Sequence, residues 1–187
     1  MVVAAALATG AATAPAHAST AFHSGVLAYT CNFPGPSVQP VTLTEDFTGP
    51  DTVASGATFT LTNLSGRITL SDGALAALTG AGYDGVDRGN SYMVVTATNA
   101  TNGTNPNNGT VDQTTWVPGA ATIDFHGGRQ PWTAGSSGVI TFRRTTSLYL
   151  LLSLHRQAGN PGPTSWGLTC TQQAGQDATF TPGLPID

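Results

Sequence analysis

The chain has 187 residues, 40% of them apolar, enough to bury the core of one domain. Only 9% are charged, the net charge is −4, all six basic residues are arginine and there is a single glutamate. No basic stripe is available to neutralise phosphates, and only Arg143 and Arg144 are adjacent, so nucleic-acid binding and attraction to anionic lipid are disfavoured.

Residues 1–18 read as a secretion signal: Val2 to Leu7 is a short apolar run, and Ala16-His17-Ala18 has the A-x-A form of a cleavage site. A charged start to that signal is missing, and an Ala-rich tail is the other reading of the segment. The run is too short to span a bilayer, and no later segment is apolar enough to do so. The expected product is a secreted or surface-associated chain with one domain over residues 19–187.

The first strong strand signal is Leu27-Ala28-Tyr29-Thr30-Cys31, in which Leu27, Tyr29 and Cys31 share a face. Near the other end, Trp166, Leu168 and Cys170 alternate in the same way. These are the two cysteines of the chain. In an oxidising compartment they are expected to form one disulfide between the first and last strands; two buried reduced thiols are the alternative. A metal site needs more ligands than these two cysteines supply.

Between these ends, Val41, Leu43, Glu45 and Phe47 alternate as a strand, with Glu45 expected at a strand end or guarding an edge. Thr58 to Thr62 alternates Thr with Phe59 and Leu61, and Gly66 to Leu70 follows as a further strand. Asp72 to Thr79 is the one expected helix, capped by Ser71 or Asp72 and ended by Gly80 and Gly82. Asp84 to Asn90 reads as a Gly-rich turn with oxygen ligands but without the alternation of a calcium loop. Tyr92 to Thr98 is the next strand, and Asn99 to Thr110 is a polar, Asn-rich loop. Its Asn-x-Ser/Thr matches, and that at Asn63, are those a Thr- and Asn-rich chain produces by chance.

Trp116 to Phe125 holds a strand, His126 to Trp132 a loop, and Val139 to Phe142 a strand. The unbroken run Leu148 to Leu152 suggests a central strand buried on both faces. Ala178 to Phe180 adds a short last pairing. These elements predict an all-β fold, an immunoglobulin-like antiparallel β-sandwich of about nine strands with one short crossover helix.

Chemistry is thinly marked. Gly-x-Ser-x-Gly is absent. Asp124 and His126 are two apart on a strand and face the same way, but the sequence places no serine beside them. Among the carboxylates Glu45, Asp84, Asp87 and Asp124, no pair is singled out for glycoside hydrolysis. Sugar binding is the most plausible ligand chemistry, with Trp132 as a loop platform, Arg129 and Gln130 as hydrogen-bonding neighbours, and Trp116 and Tyr83 as weaker candidates.

Four segments carry a resemblance: Tyr29 to Gly35, Gln39 to Thr44, Leu70 to Leu75 and Cys170 to Thr179. In these the chain resembles a family of secreted actinobacterial immunoglobulin-like β-sandwich domains of unknown function. The resemblance implies fold and extracellular location and brings no catalytic residue or cofactor. The expected function is therefore a non-enzymatic module that binds an unknown protein or glycan at the cell surface. A carbohydrate-binding module and a small secreted hydrolase are the alternatives.

Overall fold

A computed structural model describes residues 18–35, 38–92, 94–103, 108–159 and 164–187. The expected signal, residues 1–18, lies outside these but for Ala18. In chain order the elements are β1 (Ser19–His23), β2 (Leu27–Asn32), β3 (Val38–Pro50), β4 (Thr58–Leu70), α1 (Asp72–Gly80), β5 (Tyr83–Tyr92), β6 (Val95–Thr98), β7 (Ala100–Asn102) and β8 (Gly109–Val111). They continue as β9 (Thr114–Thr115), β10 (Thr122–His126), β11 (Gln130–Ala134), β12 (Gly138–Arg144), β13 (Ser147–Arg156), β14 (Ser165–Gln172) and β15 (Leu184–Ile186). The fold is all-β, and every ladder between these strands is antiparallel.

The main ladder runs β3-β2-β14-β13-β5-β8-β10-β4, and β4 pairs back onto β3. These eight strands close a ring, so a sandwich of two separate sheets is not what the hydrogen bonds draw. Closure rests on the length of β3 and β4, 13 residues each. Each is long enough to serve two neighbours in succession: β3 pairs β2 through Val38 to Leu43 and β1 through Asp46 to Pro50. Likewise, β4 pairs β11 through Thr58 to Leu61 and β10 through Ser65 to Thr69. The sequence divides β4 at Asn63 to Ser65, but the strand only bends there. Asn63 takes a left-handed φ of 53°, and its amide donates to Thr48 Oγ1 across the shift in register. An Asn tolerates that conformation better than most residues.

The smaller sheet, β15-β12-β6, covers the part of the main sheet beyond the ring. An aromatic cluster fills the space: Phe47 stacks on Phe22 at 5.1 Å, and Phe142 of β12 meets both edge-on. Helix α1 forms where the sequence predicts it, with Ser71 accepting from the Ala74 N–H as N-cap and the chain leaving through Gly82 at a φ of 80°.

Two further expectations change. Asp84 to Asn90 is strand β5 rather than a turn. Gly85 and Gly89 there are packing glycines: a Cβ on Gly85 would lie 2.2 Å from the Thr114 carbonyl oxygen. In β13 only one face is buried, that of Leu148, Leu150, Leu152 and Leu154, while Tyr149 is 41% and Leu151 36% exposed. The apolar run hid an ordinary alternation, because the outward positions are apolar too.

Candidate functional site

Cys31 and Cys170 face one another directly across β2 and β14, with their Cα atoms 4.0 Å apart and their sulfurs bonded. The staple joins neighbouring strands in mid-sheet rather than the first and last strands, since β1 precedes and β15 follows. Both cysteines are fully buried. Trp166, on the same strand as Cys170, donates its indole N–H to the Asn32 carbonyl.

The three residues proposed as a loop platform do not act together. Trp132 lies on β11, opposite Phe59, and only 3% of it is exposed. Its ring meets Phe142 edge-on at 5.7 Å. Gln130 has the same inward phase, and its amide donates to the Val95 carbonyl. Arg129, one residue earlier, is left outside. The correction has a simple cause: Gln130, Trp132 and Ala134 alternate as a strand, and Pro131, in an outward position, disguises it. Trp116 is also buried, its indole N–H bonded to the Thr122 carbonyl, and Tyr83 is buried as well.

Glu45 is neither at a strand end nor on an edge. It points inward from β3 and meets Arg144 of β12, with both side chains at 0% exposure. Arg144 Nε lies 2.9 Å from Glu45 Oε2, and its Nη1 donates to the Val94 carbonyl and to Thr145 Oγ1. Burial pushes the Glu45 carboxyl above its ordinary range, and the Arg144 charge opposes that rise. Tyr29 shares the site; burial above all raises its hydroxyl to about 12. This pair ties the ring to the smaller sheet and is a structural device.

The outer surface carries the accessible chemistry. On the face of β5, β13 and β14, Tyr149 stands opposite Tyr92, their ring centroids 5.3 Å apart. Gly167 of β14 makes room for the Tyr149 ring: a Cβ there would be 3.1 Å from the phenol oxygen. Beside this pair runs a shallow depression with Arg88, Asn90, Leu151, Ser153 and Ser165 along it. The two rings and Leu151 give a broad apolar surface at the middle of a rigid sheet, edged by hydrogen-bonding side chains. No sequence period pointed to it, because it depends on pairing β5 with β13 across 57 residues (Tyr92 to Tyr149).

Asp124 and His126 do face the same way, as expected, but they bond elsewhere. Arg67 Nε donates to Asp124 at 2.6 Å, which holds the Arg67 guanidinium more firmly protonated. His126 Nδ1 lies 2.7 Å from Asp112. Asp84, considered above as an oxygen ligand, lies 2.5 Å from His155 Nδ1, and that hydrogen bond raises the His155 pKa.

These features define an all-β domain with one cross-strand disulfide and an exposed aromatic face. The chain belongs to the DUF6801 family, a family of unknown function, which it matches over residues 28–181. No curated protein and no solved structure matches it. Among the described residues, no helix is long and apolar enough to cross a membrane.

Proposed function

We propose that this protein is an extracellular binding module that presents the Tyr92–Tyr149 face to a hydroxyl-rich glycan of the cell envelope. The observation that carries the reading is the tilted tyrosine pair in mid-sheet, Tyr149 41% exposed and Tyr92 half-buried, where an uncommitted surface would be polar. Flat rings offer the apolar contact that a sugar's C–H face needs, while each phenol keeps a polar handle. Arg88, Asn90 and Ser153 supply donors and acceptors for hydroxyls along the same depression. The backbone beneath is paired on both sides and changes little on binding, which keeps the ordering cost low.

Secretion is part of the proposal, supported by the signal-like residues 1–18 and by the disulfide, a bond that persists in oxidising compartments. So is an immunoglobulin-like character, supported by Phe142 of β12 packing edge-on against Phe47 of β3 and Phe59 of β4 across the two sheets. The test is affinity electrophoresis and a glycan array with wild type, Tyr149→Ala and Tyr92→Ala. Wild type should bind a polysaccharide, and each variant should bind about fivefold more weakly, an aromatic contact being worth roughly 1 kcal/mol beyond its buried area. No glycan binding by wild type, or binding by both variants equal to that of wild type, would overturn the reading.

A further inference from the structure

We propose that Ser65, His126 and Asp112 form a nucleophilic relay on the outer face of β4 and β10, one that cleaves esters of short acyl groups. This goes beyond glycan binding and uses a different part of the surface. It departs from the expectation of a non-enzymatic domain, which rested on a resemblance that brings no catalytic residue and on the lack of any marked catalytic motif, a serine beside Asp124 and His126 included.

The fold supplies that serine. In the antiparallel pairing of β10 with β4, His126 lies directly opposite Ser65, and Asp124 opposite Arg67. Direct partners of this kind have Cβ atoms about 4.5–5.5 Å apart on one face, within reach of a hydroxyl and an imidazole. Ser65, His126 and Asp112 all line one open polar groove of about 380 Å³, together with Thr44, Asp46 and Arg67.

The spacing of the side chains gives each group a part. Asp112 Oδ1 lies 2.7 Å from His126 Nδ1, close enough to pair with a proton on that nitrogen and leave Nε2 to act as the base. Two other carboxylates are close by but already engaged. Asp46, which faces Ser65 from β3, lies 2.5 Å from His23 Nδ1, and Asp124 is held by Arg67. Next to His126, Gly127 and Gly128 take φ values of 82° and 93° and line the adjoining depression with Ser65. With no Cβ on either, a substrate carbonyl can come close to the backbone there.

The reaction balances without a co-reactant other than water. Ser65 Oγ attacks the ester carbonyl carbon while His126 Nε2 takes the hydroxyl proton. The bond from carbon to the ester oxygen breaks, and the leaving alkoxide takes that proton and departs as the alcohol. Water, deprotonated by His126, then attacks the acyl carbon; the bond to Ser65 Oγ breaks, Ser65 takes the proton from His126, and the carboxylic acid is released. The groove is polar and open, with no apolar recess for a chain, which restricts the acyl group to something like acetyl. His126 is 60% and Asp112 44% exposed, so water competes with the relay and turnover should be slow.

The test uses the purified, disulfide-bonded protein with a fluorophosphonate probe, followed by peptide mapping, and with p-nitrophenyl acetate as substrate. Wild type should be labelled at Ser65, and Ser65→Ala should abolish the label. Ser65→Ala and His126→Ala should each lower hydrolysis at least tenfold, since a positioned general base contributes about 10²–10⁴. Asp112→Asn tests a positioning role: it should lower kcat with KM little changed, because the imidazole is no longer oriented toward Ser65. All three side chains are on the surface, so thermal melts should match wild type and exclude misfolding. No label at Ser65, or hydrolysis unchanged in Ser65→Ala, overturns the relay. Neither outcome bears on Tyr92 and Tyr149, which belong to another face.

Discussion

Replacing Arg144 with methionine tests the electrostatics of the core. Methionine keeps much of the stem volume but removes the charge, leaving the fully buried Glu45 without a partner. Breaking a buried pair on one side costs about 3–5 kcal/mol. That is a large share of the roughly 5–15 kcal/mol by which a domain is stable, and it corresponds to a melting temperature lower by about 6–20 °C. The pH dependence identifies the cause. Glu45 already has a folded-state pKa above its unfolded value. A group of that kind favours folding below the unfolded pKa, and the benefit is lost as pH rises through the folded one. Without Arg144 the opposing attraction is gone and the folded value rises further. The variant's deficit should therefore be largest at neutral pH and shrink on acidification toward the carboxylate range. Urea unfolding at pH near 7 and near 4.5 measures it. Adding Glu45→Gln to Arg144→Met should recover part of the loss, since the lone charge is then gone. A deficit below about 1 kcal/mol, or one equal at both pH values, would refute the reasoning.

Removing the disulfide through Cys31→Ala and Cys170→Ala opens a loop of 139 residues; the chain-entropy relation gives about 5 kcal/mol, and an unfolding midpoint indistinguishable from wild type would contradict it. Gly66→Ala should destabilise by about 1–3 kcal/mol, because its Cβ would lie 2.2 Å from the Phe125 ring; thermal melts against wild type check this. Trp132→Ala should cost about 3–5 kcal/mol of stability, read by urea unfolding, whereas a loss of glycan affinity in a protein of unchanged stability would return Trp132 to the role of platform.

The alternation of Leu27, Tyr29 and Cys31, and of Trp166, Leu168 and Cys170, was enough to find two strands and to point their cysteines inward. The signals of α1, from Ser71 to Gly82, were equally local and equally readable. Period-two patterns and caps are properties of a few consecutive residues, so a sequence displays them directly. Where both faces were apolar, as in Leu148 to Leu152, the period vanished and the exposed face could not be told from the buried one. Where Pro131 broke the pattern, a core tryptophan passed for a surface one.

Register was decided only in three dimensions. The ring closes because β4 returns to β3, Glu45 reaches Arg144 across two sheets, Tyr92 meets Tyr149, and Ser65 comes to lie beside His126. Each of these pairs joins residues far apart in the chain, and which strand lies beside which depends on the free energy of the whole core, not on any single segment. The sequence alone therefore determined the class of fold and the inward face of its clearest strands. The tertiary structure decided which side chains meet on the outside, where any function must reside.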